Sequence, residues 1–207
     1  MRSRTDDQST PLTHTAVTPR DTTCINRMRQ DFSDRASVWV FGYGSLIYKV
    51  DFPCLERQRA AIHGWARRFW QGSHDHRGTP EHPGRVLTLV PEAGAICTGM
   101  AYRVAPATFG LLDFREKNGY LRTLAKLDFG AGESTEGVVY IAPQGNAAWL
   151  GPASVEAIAR CVVGAAGPSG SNIEYVFKLA DALRVLGARD AHVFAVEACL
   201  LRLRKTE

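Results

Sequence analysis

The sequence lacks the features that announce several large classes of protein. No apolar run approaches the roughly 18 residues a membrane-spanning helix needs, and the N-terminus has no apolar core of the kind a signal peptide carries. We therefore expect a cytoplasmic protein with no membrane partner. The five cysteines (Cys24, Cys54, Cys97, Cys161 and Cys199) are odd in number and widely spaced, with no Cys-x-x-Cys pair and no clustered histidine partner. Neither a disulfide framework nor a zinc site is indicated, and Cys97, Cys161 and Cys199 stand in apolar segments where a cysteine reads as a small buried hydrophobe. Net charge is small as well, a formal +4 over 207 residues with the basic residues dispersed, which argues against a nucleic-acid partner. Familiar nucleotide and hydrolase motifs are missing. Gly42-x-Gly44 opens like a dinucleotide fingerprint, but Ile47 stands where the third glycine belongs and no helix pattern follows. Ser45 lacks the Gly-x-Ser-x-Gly frame, no histidine has an evident acid support, and there is no Walker loop.

What is present fits one domain. A hydrophobic content of 45% over this length is enough for a single well-cored unit plus a tail. Residues 1–37, rich in Thr, Ser, Asp and Arg with almost no apolar periodicity, predict a disordered polar tail, and the domain is expected over residues 38–207. Its first strongly apolar run is Val38 to Leu46. Trp39, Val40 and Phe41 favour a strand, and Gly42 and Gly44 then allow a tight loop whose backbone amides can cradle a carboxylate or an oxyanion.

Pro53 and the charged run Glu56 to Arg59 predict a connection, and Ala60 to Trp70 a further strand. The aromatic and basic residues of that strand read as a half-buried face under arginine stems or as a stacking platform. Gly72 to Gly84 is a long polar loop. Its His74, Asp75 and His76 lack a third metal ligand nearby and read as a surface or substrate-facing stretch. Arg85 to Val90 and Ile96 to Val104 predict a hairpin across Pro-Glu-Ala-Gly.

Pro106 opens a helix on which Phe109, Leu112 and Glu116 share one stripe. Glu116 then has two readings. Turned inward, it is desolvated and its pKa rises towards that of a general base; at a frayed helix end, it is simply paired with Arg115. Gly119 ends the helix, the apolar face of Leu121 to Phe129 alternates with Arg122, Lys126 and Asp128 as a strand with one face buried, and Gly137 to Ala142 adds another, for about six strands. The remainder reads as helices: an apolar stripe from Val155 to Val163, a helix capped by Ser171 with Glu174, and a last helix capped by Asp190.

The loop and the glutamate together carry a resemblance. Val40-Phe41-Gly42-Tyr43-Gly44-Ser45-Leu46 is similar to the substrate loop of the ChaC-like γ-glutamylcyclotransferases, which degrade glutathione. The likeness continues through Arg67-Arg68-Phe69-Trp70-Gln71-Gly72, His76-Arg77-Gly78, Pro83-Gly84-Arg85-Val86, Arg115-Glu116 with Gly119-Tyr120, Tyr140-Ile141-Ala142, and Asn172-x-Glu174-Tyr175. It implies an α+β fold with a small mixed β-barrel of about six strands flanked by helices. It also implies Glu116 as the active acid/base, no metal or organic cofactor, glutathione as the small-molecule partner, and substrate contacts at Phe41, Gly42, Tyr43, Gly44, Ser45, Leu46, Arg77, Tyr120 and Tyr175. Tyr120 stands closer to Glu116 than the family pattern places it, so it reads either as a substrate residue or as the first core residue of the next strand. Tyr175, on an apolar helix face, has the same two readings. Two other functions stay open: a cyclotransferase for other γ-glutamyl amines or amino acids, with the loop from His74 to His82 deciding, and a regulatory module that binds a γ-glutamyl ligand without turning it over. No oligomeric state is assigned.

Overall fold

The computed structural model describes residues 20–205. A short helix, α1 (Thr23–Arg29), precedes five long strands: β1 (Val38–Gly42), β2 (Glu56–Ser73), β3 (Gly84–Val104), β4 (Leu121–Gly130) and β5 (Glu133–Ile141). The helix α2 (Phe109–Arg115) joins β3 to β4. After β5 come α3 (Val155–Gly164), a two-residue ribbon of β6 (Ala166–Gly167) and β7 (Gly170–Ser171), α4 (Asn172–Val185) and α5 (Ala191–Leu203). The five long strands close a barrel in the order β1-β3-β2-β4-β5. Its seam is the parallel pairing of β1 with β5, Val40 opposite Val138 and Phe41 opposite Val139, which makes the barrel mixed as expected. Among the described residues no helix is long and apolar enough to cross a membrane.

The strand count differs from the expectation of six in an informative way. The predicted hairpin across Pro91 to Gly94 is instead a wide bulge within one strand. β2 pairs with β3 on both sides of it, His63 with Ile96 and Trp65 with Pro91, so four residues of β3 bow out opposite Gly64. A continuous partner strand keeps the chain running forward where a turn would have reversed it. β2 likewise starts earlier than predicted. Glu56 to Arg59, expected as a connection, pairs with Arg103 to Met100, and the exposed Glu56 carboxylate accepts from Arg103 at 2.9 Å. Charged side chains suit that stretch because they point to solvent.

The core has two parts. One lies between the barrel and the C-terminal helices, where Phe69, Leu87, Leu127, Ile158, Leu179, Leu183 and Leu200 are almost fully buried. The other lies between β1, β5 and α2, around Val40, Tyr102, Leu112 and Val138. Each such aliphatic or aromatic side chain contributes about 1.5–3 kcal/mol. The C-terminal helices start where their caps predict. The Ser171 hydroxyl accepts from Glu174 N–H at 3.2 Å, and the Asp190 carboxylate accepts from Val193 N–H at 3.0 Å.

The tail expected over residues 1–37 needs correction in its second half; its residues 1–19 lie outside the described residues. Residues 20–37 hold α1, with Thr22 and Asn26 fully buried and Phe32 in the second core. Apolar periodicity misses this segment because polar side chains bonded to distant backbone hold it, rather than an apolar stripe. β4 carries a second surprise. Arg122, expected on a solvent face, is buried and makes a two-pronged pair with the fully buried Asp113, which also accepts from Tyr140 Oη at 2.7 Å.

Candidate active site

The loop after β1 forms one wall of the site. Gly42 is obligatory there, since a Cβ would lie 2.5 Å from Leu46 Cβ. The chain then enters a short 3-10 turn, Ser45–Ile47, whose first bond runs from Ile47 N–H to Gly44 O at 3.0 Å. The N–H groups of Ser45 and Leu46 precede that bond and have no acceptor within the turn. Three buried donors fix the loop: Arg67 Nε to Tyr43 O at 2.7 Å, Tyr43 Oη to Tyr140 O at 2.8 Å, and Tyr102 Oη to Leu46 O at 2.5 Å.

Glu116 forms the facing wall. It is the C-cap of α2, its N–H donating to Leu112 O at 2.9 Å, and its side chain is 18% exposed. The side chain is both turned inward and paired with Arg115. Burial raises its pKa, while Arg115, through charge and an Nε hydrogen bond to Oε1 at 3.2 Å, and His76 oppose the rise; Asp51 adds to it. The net direction is upward. Arg115 is a three-way clamp, because it also donates to Ser45 Oγ at 3.0 Å and pairs with Asp51. It thereby ties the loop to the glutamate.

Between the walls lies a cavity of about 160 Å³, lined among others by Ser45, Arg77, Glu116, Tyr120 and Tyr175. It adjoins a narrower hollow of about 50 Å³ at Phe41 to Leu46, with Ser45, Glu116, Tyr120 and Tyr175 common to both. All ten residues singled out in the sequence therefore meet here. Tyr120 and Tyr175 are cavity walls and core residues together. The Tyr120 hydroxyl donates to Leu87 O at 2.6 Å and the Tyr175 hydroxyl accepts from Leu87 N–H at 3.4 Å, which pins both rings on one residue of β3. Burial raises the pKa of both phenols, so both stay protonated.

Tyr120 reaches the cavity over so short a span because Gly119 has φ +86° and packs where a Cβ would lie 2.5 Å from Asn146 Oδ1. Arg77 lines the cavity but is already engaged: it donates to Glu174 Oε2 at 2.8 Å and to Ser171 O at 3.1 Å. His76 pairs with Asp75 at 2.8 Å, and among the described residues no cluster of three His, Cys, Asp or Glu side chains could hold a metal.

Sequence reasoning missed Asp51, Asp113 and Asn118. Asp51 had no local signal, since its partner Arg115 is far along the chain. Asp113 carries one, as an acidic residue on the apolar side of α2.

The ChaC-like protein family model matches residues 38–203. The chain belongs to this family. Curated relatives of this ChaC-like protein include glutathione-specific γ-glutamylcyclotransferase 1 of Danio rerio, 41% identical over 178 residues that cover 81% of this chain and 90% of the relative. Another is γ-glutamylcyclotransferase 2-3 of Arabidopsis thaliana, 43% identical over 76% of this chain and 85% of the relative. Among solved structures, a γ-glutamyl cyclotransferase specific to glutathione from yeast superposes with a TM-score of 0.78 at 30% identity, over 84% of this ChaC-like chain and 99% of the yeast chain.

Proposed function

We propose that this protein is a glutathione-specific γ-glutamylcyclotransferase that releases 5-oxo-L-proline and L-cysteinylglycine. The observation that carries the reading is a desolvated Glu116 that lines the same hollow as the loop from Phe41 to Leu46. Relatives and a structural neighbour named for this activity support the choice of substrate.

The chemistry asks for what the cavity offers. In a γ-glutamyl amide the α-amine sits four bonds from the γ-carbonyl carbon, so its attack closes a five-membered lactam. Proximity is built into the substrate, and such intramolecular geometry is worth effective molarities of about 10⁵–10⁸ M when the reacting atoms are aligned. The protein must fold the substrate, remove a proton from an ammonium and hold the charge that develops on the carbonyl oxygen. Glu116, made more basic by burial, takes the amine proton. The new C–N bond forms, the electron pair moves to the oxygen, and amides of the loop stabilise it. When the tetrahedral centre collapses, the amide C–N bond breaks and Glu116 returns its proton to the cysteinyl nitrogen, while the second proton of the ring nitrogen passes to the freed amine, leaving the neutral lactam and the ammonium of cysteinylglycine. The phenols of Tyr120 and Tyr175 supply fixed dipoles at the cavity wall.

The test is a product assay. Purified protein is incubated with glutathione, and separately with γ-glutamyl-alanine, and products are read by mass spectrometry. Equal amounts of 5-oxoproline and cysteinylglycine from glutathione, with little turnover of γ-glutamyl-alanine, are expected. Preference for γ-glutamyl-alanine would change the substrate, and silence on both would leave a ligand-binding module.

A further inference from the structure

The segment before β1 is fastened to the backbone that follows Glu116. Thr22 Oγ1 donates to Tyr120 O at 2.7 Å and lies 3.0 Å from Lys117 O, and Thr22 N–H donates to Lys117 O at 2.9 Å. Asn26 brackets the next turn of chain: Nδ2 donates to Tyr120 O at 2.9 Å, and Oδ1 accepts from Arg122 N–H at 2.9 Å. Gly119 N–H donates to Arg20 O at 2.8 Å. Beyond Asn26 the strap is tied again, Arg29 Nε to Arg122 O at 2.9 Å and Arg122 Nη1 to Gln30 O at 3.0 Å. Both Thr22 and Asn26 are fully buried.

Only Lys117, Asn118 and Gly119 separate the glutamate from Tyr120. This connection belongs to neither α2 nor β4, so its placement depends on partners from elsewhere. On one side these are Gln71, which donates to Asn118 O at 2.8 Å, and Gly72, whose O accepts from Asn118 Nδ2 at 2.7 Å. On the other side they are Thr22 and Asn26, which lie outside the residues that the family model matches. We propose that Thr22 and Asn26 are positioning residues for the reaction, holding the Lys117 to Arg122 backbone so that Glu116 and Tyr120 face the same cavity. This rests on the cyclotransferase reading above. It adds to the site a segment whose sequence looks like a dispensable tail.

The test is steady-state kinetics on glutathione for wild type, T22V, T22S and N26A, at a temperature where circular dichroism shows each fully folded. T22V keeps the shape of the side chain and removes its donor. Expected is a fall in kcat of about tenfold or more for T22V and for N26A with KM within about twofold, since displacement of a reacting group by about 1 Å is worth up to about 10²-fold. T22S, which restores the hydroxyl, should recover most of kcat. Wild-type kcat in both T22V and N26A, or a loss in T22V that T22S does not recover, would overturn the inference while leaving the activity intact. A wild type that does not turn over glutathione would instead overturn the reading on which it rests. Should T22V fail to fold, N26A carries the same test.

Discussion

Glu116 and Glu174 each accept a hydrogen bond from an arginine that lines the same cavity, yet their acidities move in opposite directions. Glu116 sits at the end of α2 with an 18% exposed side chain, and burial outweighs Arg115 and His76, so its pKa rises. Glu174 sits in the first turn of α4 with a 40% exposed side chain, and hydrogen bonds from Lys178 and Arg77 pull it down to about 2. An arginine beside a carboxylate therefore does not decide its role. Desolvation and the sharing of that arginine do, because Arg115 divides its donors among Glu116, Asp51 and Ser45 while Glu174 has a lysine as well. Glu116 is held towards its neutral form and Glu174 towards its anion, which latches Arg77 to α4.

The comparison breaks most visibly in turnover. E116Q should lower kcat on glutathione by about 10³-fold, within the range of about 10²–10⁴ that a general acid/base contributes, with KM little changed. E174Q keeps the size of the side chain but leaves an acceptor oxygen for only one of Arg77 and Lys178, so its effect should stay within about tenfold and fall mainly on KM. Steady-state kinetics on both variants decide this.

A smaller effect sharpens the electrostatic half of the contrast. Because Glu116 must be ionised to accept a proton, the acid limb of kcat/KM should lie above the usual 4.5 of a glutamate. R115M removes a cation that lowers the Glu116 pKa, so the limb should move to higher pH. D51N removes an anion that raises it, so the limb should move to lower pH. A pH–rate profile for each variant reads the direction. If both variants shift the same way, the balance drawn among these three groups is wrong.

The smallest effects are in stability, and their signs oppose. A glutamate whose folded pKa is raised binds its proton more tightly folded than unfolded, so stability falls as pH rises from 4.5 through the folded value. E116Q removes that cost, and its Tm at neutral pH should equal or exceed that of wild type. Glu174, lowered to about 2, contributes stability above the usual 4.5 that is lost as pH falls towards about 2. E174Q should therefore lower Tm slightly at neutral pH, and by less in high salt, because the group is exposed and screened. Thermal unfolding of the two variants beside wild type checks both signs.

The legible part of this molecule is the part built from local patterns. Val38 to Leu46 announced both the strand and the turn. The Ser171 and Asp190 caps fixed the starts of α4 and α5. Glu116 showed itself as a carboxylate in register with Phe109 and Leu112. What stayed hidden depends on partners far along the chain. Pro91 to Gly94 reads as a turn until β2 is seen to run past it on both sides. Arg122 reads as surface until Asp113 and Tyr140 are placed beside it. Thr22 and Asn26 are buried by hydrogen bonds to residues more than ninety positions away, and no periodicity records such a bond. The candidate site is legible in sequence because its motifs are short and contiguous; the residues that brace it are not, because they are single polar residues.

The measurement that bears most directly on this account is the rate of 5-oxoproline release from glutathione by wild type, E116Q and E174Q, followed from acid to alkaline pH. The account predicts a wild-type profile with an acid limb above 4.5, a similar profile for E174Q, and about 10³-fold less product with E116Q at every pH. Near-normal release by E116Q, or a loss in E174Q as deep as that in E116Q, would contradict it.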